Sequence, residues 1–131
     1  MKALIIYKSK TGFTKWYAEF ISKEVNGKLM DFKEVATEIM SGYDVVVYGG
    51  GLYAGMINGY KKTKEMFENS SANRFILFAT GGTPNDATKE IDEIWKNNLS
   101  AEEGFAQAIK SSYDITSSEY AKPLIKCLLE G

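Results

Sequence analysis

Three short apolar runs, each followed directly by a turn rich in glycine and hydroxyl side chains, constrain the fold of this chain most. They are residues 3–7, 45–48 and 75–79. None of them alternates polar with apolar residues, so each strand must be covered on both faces. That is typical of the centre of a parallel sheet with helices on both sides. The runs therefore predict an α/β fold with three central strands.

Amphipathic segments separate these runs. Apolar residues recur at helical spacing between residues 17 and 25 and between residues 87 and 95, so each segment predicts a helix that buries one face. Residues 33–41 predict a further short helix that ends at Gly42. The last stripe predicts a helix that begins near Lys122 or Pro123, because proline is tolerated at a helix start but not further in. Its apolar members are Tyr120, Leu124, Ile125, Leu128 and Leu129.

Two weaker segments predict the peripheral strands. Leu29, Met30 and Phe32 indicate a short, half-covered second strand, and residues 105–109 indicate a fifth strand at the other edge. The alternation of strands and helices predicts a doubly wound sheet of five parallel strands in the order 2-1-3-4-5, with helices on both faces. No repeat or linker-like tract interrupts this order, so we expect residues 1–131 to form a single domain.

The composition argues against several classes of function. The chain has 131 residues with 16 basic and 17 acidic side chains, a net charge of −1, which favours neither nucleic acid nor a membrane as a partner. Cys127 is the single cysteine and histidine is absent, so no disulfide, metal site or catalytic triad is predicted. The first apolar run is too short for a signal peptide, and no run reaches the ~20 residues of a membrane span. We expect a cytoplasmic protein and a monomer.

The turn after the first strand has the chemistry of a phosphate site. It reads Ser9-Lys10-Thr11-Gly12-Phe13-Thr14 and leads into the first predicted helix. Three hydroxyls, the N–H groups of the turn and the positive end of a helix dipole can together hold a phosphate monoester. Neither a Walker A loop nor a Gly-x-Gly-x-x-Gly fingerprint is present. The alternative interpretation is a hydroxyl-rich turn in which Thr14 only caps the helix.

This turn and its flanks resemble the flavodoxin signature. The matching positions are Ile5, Ile6, Tyr7, Ser9, Gly12, Thr14, Ala18 and Ile21. In flavodoxins such hydroxyls surround the phosphate of flavin mononucleotide (FMN), so the resemblance implies FMN as the cofactor. The implied phosphate site consists of Ser9, Thr11 and Thr14 with the backbone of Lys10, Gly12 and Phe13. The resemblance runs from Met1 to about Leu99 and fades beyond it.

Two further turns are expected to converge with this one, because the carboxyl ends of parallel strands share one edge of a sheet. The resemblance is closest to the subgroup that includes the flavin-dependent protoporphyrinogen oxidases. It implies that Tyr53 stacks on the flavin ring and that a peptide at Gly51 or Gly55 can turn toward the flavin N5. A surface aromatic and tight-turn glycines are the alternatives. The implied residues of the two turns are Gly51, Leu52, Tyr53, Ala54, Gly55, Thr80, Gly81, Gly82 and Thr83.

The chain departs from many flavodoxins in two ways. The turn after residue 79 has no aromatic residue to cover the second face of the ring, and the near-neutral charge contrasts with the acidity that lowers flavin potentials and guides docking to basic partners. Both the near-neutral charge and Lys8, Lys10 and Lys15, if these point inward, argue against a very low flavin potential. The alternative is that the three lysines are ordinary exposed side chains on a solvated face.

Three functions are open. The first is an electron carrier that binds FMN and serves redox partner proteins. The second is an FMN-dependent oxidoreductase acting on a small substrate such as a porphyrinogen or a quinone, and the third is a non-redox binding module. The carrier ranks first because it needs neither a general acid nor a general base, which suits a chain without histidine.

Overall fold

Parallel strands form the centre of the structure, a computed structural model that describes residues 1–53, 56–81, 88–98, 106–110 and 118–130. The sheet has the order β2-β1-β3-β5-β6, and β4 pairs antiparallel with the end of β3. The strands are Ala3–Lys8 (β1), Lys28–Asp31 (β2), Val45–Tyr53 (β3), Met56–Ile57 (β4), Arg74–Gly81 (β5) and Ala106–Lys110 (β6). The five parallel strands have the predicted order, and β4 is an addition to it.

Helices cover both faces of this sheet, as the unbroken apolar runs predict. The helices are Phe13–Val25 (α1), Thr37–Met40 (α2), Tyr60–Glu68 (α3), Thr88–Asn98 (α4) and Lys122–Glu130 (α5). On one face α1 and α5 pack around Ile5, Val47 and Phe78. On the other face α2, α3 and Trp95 of α4 pack around Leu4 and its neighbours. Within the described ranges, no helix is long and apolar enough to cross a membrane.

Two central strands are longer than predicted. β3 runs on to Tyr53 and β5 to Gly81, so these ends belong to the sheet and not to loops. Their glycines disfavour strand structure on their own. The extension has a physical cause in pairing, since Gly51 of β3 is in register with Thr80 of β5.

Two helix predictions also need correction. The helix predicted over residues 33–41 is divided into a 3₁₀ turn, Phe32–Glu34, and α2, because Val35 and Ala36 have extended backbone. The apolar spacing predicts that Leu129 belongs to the buried stripe of α5, but its side chain is 63% exposed. Leu128 occupies the inward position, and its neighbour in sequence is turned about 100° away around the helix. The predicted start of α5, at Lys122, is confirmed.

Candidate functional site

The carboxyl ends of β1, β3 and β5 lie side by side at one edge of the sheet. Lys8 of β1 is in register with Gly50 of β3, and Gly51 is in register with Thr80 of β5. The chain adds β2 on one side of β1 and the later parallel strands on the other, so the strand order reverses between β1 and β3. Open α/β sheets bind their ligands in the crevice at such a reversal.

Gly12 shapes the turn after β1. Its N–H donates to Ser9 Oγ at 3.0 Å, and its φ of 94° places it in the left-handed region at the start of α1. A Cβ at this position would meet no atom within 4 Å, so the backbone conformation and not crowding requires glycine. Because Ser9 Oγ accepts this hydrogen bond, the Ser9 hydroxyl keeps its own proton as a donor.

The positive end of α1 is not neutralised by its own first turn. The glycine cap supplies no side-chain acceptor, and the first turn contains Lys15 but no acidic residue. Lys15 Nζ lies 3.9 Å from Glu19 Oε1, but both side chains are exposed, and such pairs contribute little. Hydroxyls, N–H groups and the helix dipole together form a donor set that fits a phosphate monoester.

Thr14 does not cap α1, contrary to the alternative interpretation of this turn. Its Oγ1 lies 2.7 Å from Oγ1 of Thr80, and the cap residue is Gly12. Thr14 is 4% exposed and Thr80 is 5% exposed. This buried hydrogen bond joins the turn after β1 to the end of β5. Sequence reasoning selected both threonines for the site but missed their contact, which spans 66 residues of chain.

The hairpin of β3 and β4 brings Tyr53 close to the turn after β1. Tyr53 is 43% exposed and pairs with Met56, which is 39% exposed. Lys10 Nζ lies 4.5 Å from the centre of the Tyr53 ring, a cation–π contact between the turn after β1 and the hairpin. The exposed ring is a flat surface on which an aromatic ligand can stack.

Backbone and amide hydrogen bonds hold this hairpin in place. The Gly51 carbonyl accepts the N–H of Asn58 at 2.9 Å, so its peptide would have to lose this bond in order to turn. Asn98 Oδ1, on α4, accepts the N–H of Ile57 at 3.0 Å. Neither asparagine lies in a motif, and sequence reasoning missed both. At the neighbouring strand end, a Cβ on Gly81 would come within 2.9 Å of Leu52.

A buried tyrosine supports the hairpin from below. The Tyr48 hydroxyl donates to the carbonyl of Asn58, which precedes Gly59, a residue with a φ of 78°. Burial raises the pKa of Tyr48 well above its usual value, and a hydrogen bond with Thr63 opposes this only in part. The Tyr48 phenol therefore stays protonated and remains a hydrogen-bond donor at neutral pH.

The structure brings most of the predicted site to this one edge. Of the predicted residues, Ala54, Gly55, Gly82 and Thr83 lie outside the described ranges. Thr11 and Lys10 are exposed and Phe13 is half-buried. Hydroxyl, glycine and aromatic groups from three strand ends thus lie at one edge of the sheet, an arrangement suited to a ligand with a phosphate at one end and a planar ring at the other.

Comparison with known proteins identifies the family of this chain. The model of the flavodoxin domain family matches residues 4–113. An uncharacterized protein of Methanocaldococcus jannaschii is 31% identical over 90 residues, which cover 64% of this chain and 57% of that protein. The chain thus spans somewhat more than half the length of this curated relative.

Solved structures share the fold at low sequence identity. A flavodoxin from the domain Archaea has a TM-score of 0.66 at 17% identity, covering 99% of this chain and 95% of its own. Flavodoxin 2 of Bacillus cereus has a TM-score of 0.65 at 17% identity and 99% coverage of both chains. The rubredoxin oxygen:oxidoreductase of Desulfovibrio gigas has a TM-score of 0.62 at 19% identity, covering 99% of this chain but 37% of that one. The fold therefore occurs both as a complete chain and as part of a longer one.

Proposed function

The chain belongs to the flavodoxin family, and from this we propose that it binds FMN without a covalent link and carries electrons between redox partner proteins. One observation carries the proposal. The hydroxyl-rich turn, residues 9–14, lies beside the glycine-rich ends of β3 and β5, at the edge of the sheet where the strand order reverses.

The phosphate of FMN would bind to the hydroxyls of Ser9, Thr11 and Thr14 and to the N–H groups of residues 10, 12 and 13. The Gly12 N–H would have to leave Ser9 Oγ, or be shared with it, in order to reach the phosphate. Thr14 and Thr80 share one hydrogen bond, in which either hydroxyl can donate. Thr14 can donate to a phosphate only when Thr80 donates to Thr14, because each hydroxyl has a single proton. Phosphate binding would therefore select one direction of this hydrogen bond.

The ring of FMN would stack on Tyr53 and meet the backbone at Thr80 and Gly81, with Ala54, Gly55, Gly82 and Thr83 as further contacts from the same two turns. Bound there, the flavin supplies the electron-transfer chemistry. The protein would hold the ring and fix its orientation. This role requires no general acid or base, consistent with a chain that has no histidine.

Titration of the purified protein with FMN and with riboflavin, followed by flavin fluorescence, tests the proposal. FMN should bind much more tightly, because riboflavin lacks the phosphate. Thr11→Ala combined with Thr14→Ala should remove most of this difference, since each charge-assisted hydrogen bond contributes roughly 1.5–3 kcal/mol. Thr37→Ala, on α2, is the matched control. Equal affinity for both flavins would contradict the phosphate site, and no binding would contradict the function.

Stepwise reduction of the FMN-loaded protein without oxygen then separates the two redox functions. Two resolved one-electron steps are expected for the carrier. A single two-electron step would favour the oxidoreductase and direct the search to porphyrinogens and quinones.

A further inference from the structure

Several lysines near the crevice oppose the dipoles of the helices that carry them. α1 and α3 each begin after a glycine with positive φ, at Gly12 and Gly59, and neither has an acidic residue in its first turn. Instead, Lys15 lies in the first turn of α1, and Lys61 and Lys62 lie in that of α3. Cations at the positive end of a helix destabilise it. The stability of the helices therefore does not account for these lysines.

Three lysines of this edge contact the faces of aromatic rings. Lys8 Nζ lies 4.7 Å and Lys62 Nζ 6.0 Å from the centre of the Phe32 ring, and Lys10 lies on Tyr53. In the part of the chain that the structure describes, no carboxylate lies within 4 Å of these three ammonium groups. Contacts with ring faces leave the charge in place, so the positive charges of these three lysines are not cancelled by ion pairs with described residues.

Among the described residues of this edge, lysines outnumber acidic side chains, although the protein as a whole is slightly acidic. The net charge of the protein is −1. Among the described residues at this edge, Asp31 and Glu34 are the acidic neighbours of Lys33, and five further lysines lie at the end of β1, in the turn that follows it and in the first turns of α1 and α3. Those five are Lys8, Lys10, Lys15, Lys61 and Lys62. Because the rest of the protein is slightly negative, an anionic partner is attracted toward this positive edge.

Exposed apolar side chains lie within this positive edge. Tyr53 and Met56 face each other across the β3–β4 hairpin, and the ammonium of Lys10 lies on the Tyr53 ring. A small apolar centre with aromatic and Met side chains, surrounded by a charged rim, is the usual anatomy of a protein docking surface.

We propose that these five lysines, together with the exposed Tyr53–Met56 pair, form the docking surface for an acidic redox partner, a protein with carboxylates around its own redox centre. This rests on the proposed carrier function and adds the sign of the partner's charge. Attraction between the two surfaces raises the association rate more than the affinity, and salt weakens it. Each electron lost by the reduced flavin is gained by the docked partner.

Native and succinylated cytochrome c are matched acceptors of opposite charge, because succinylation replaces lysine ammonium groups by carboxylates. Stopped-flow mixing with the reduced, FMN-loaded protein gives the rate for each, and two haem irons accept the two electrons of one flavin. The succinylated form should react faster at low ionic strength, and its advantage should shrink as salt is added. A faster reaction with the native form at low salt would overturn the proposal.

Paired substitutions assign the effect to this edge. Lys61→Gln with Lys62→Gln should slow reduction of the succinylated form by about threefold or more at low salt, because rim charges act on association. Lys23→Gln with Lys28→Gln, exposed lysines at the end of α1 and the start of β2, should leave the rate within about 1.5-fold. Equal losses in the two variants would contradict the assigned surface.

A measurement on the flavin-free protein separates this proposal from FMN binding. Titration of the ¹⁵N-labelled protein with each cytochrome should shift the amide signals of Lys10, Tyr53, Met56 and Lys62 with the succinylated form only. Shifts confined to other residues, or seen only with the native form, would overturn the docking surface. Failure to bind FMN would contradict the proposed function and leave this readout intact.

Discussion

At the residue scale, the hydrogen bond between Thr14 and Thr80 predicts that substitutions of the two residues have non-additive effects on stability. Thr14→Val leaves the buried Thr80 hydroxyl without this partner and should lower the free energy of unfolding by about 1–2 kcal/mol, as should Thr80→Val. The double variant should lose less than the two single losses combined, since no hydroxyl remains to be satisfied. Urea unfolding of the four proteins measures this, and strictly additive losses would contradict it.

Tyr53 should matter for the flavin and little for folding, because its side chain is 43% exposed. Tyr53→Leu should change the free energy of unfolding by less than about 0.5 kcal/mol. It should weaken FMN binding by up to roughly tenfold, the value of an aromatic stacking contact. Tyr43→Leu is the control, since Tyr43 also has a lysine on its ring, with Lys2 Nζ at 5.0 Å. A large loss of stability with unchanged FMN affinity would make Tyr53 a packing residue.

The sequence predicted the chemistry of these residues better than their contacts. The hydroxyls and Gly12 of the turn after β1 could be selected because a phosphate needs those groups close together along the chain. The Thr14–Thr80 hydrogen bond and the Lys10–Tyr53 contact join residues that are remote in sequence. A local pattern carries no information about such pairs, and only the register of the strands brings them together.

At the element scale, the β3–β4 hairpin depends on α4. Asn98→Ala should leave the N–H of Ile57 without its acceptor and lower the free energy of unfolding by about 1–2 kcal/mol. It should also speed hydrogen exchange at that amide, because the hairpin that carries Tyr53 opens more easily. The control is Asn97→Ala, at an exposed neighbouring position. Unchanged exchange at Ile57 in the Asn98 variant would contradict this role.

The hairpin also shows why elements with weak patterns escape prediction. β4 has two residues, Met56 and Ile57, and a strand of that length has no periodicity to detect. The ends of β3 and β5 are glycine-rich, which local propensity assigns to loops, but pairing between the two strands overrides that preference. The interruption at Val35 and Ala36 is likewise set by the turn that follows β2 and not by the apolar spacing.

At the scale of the whole molecule, the sheet was predictable because β1, β3 and β5 are apolar on both faces. Only a position between two helical layers can bury such strands, and this fixes the class of fold and the crevice at the reversal of strand order. The peripheral strand β2 is half-buried, and its signal in the sequence was correspondingly weaker.

The raised pKa values of two tyrosines should make the protein less stable at alkaline pH. Burial raises the pKa of Tyr48. At Tyr7, partial burial and the carboxylates of Asp31, Glu19 and Glu34 raise the pKa against the opposing charge of Lys15. The folded state then holds these protons more tightly than the unfolded chain, whose tyrosines titrate near pH ~10. Their contribution is complete below that pH and is lost as the pH rises toward the folded-state pKa values.

Urea unfolding between pH 8 and about 11 should show a falling free energy of unfolding. Tyr48→Phe should reduce this slope while lowering stability at neutral pH, because the hydrogen bond to Asn58 is lost. Tyr43→Phe, at a partly exposed position, should keep the slope, and an equal flattening in both variants would contradict the assignment to Tyr48.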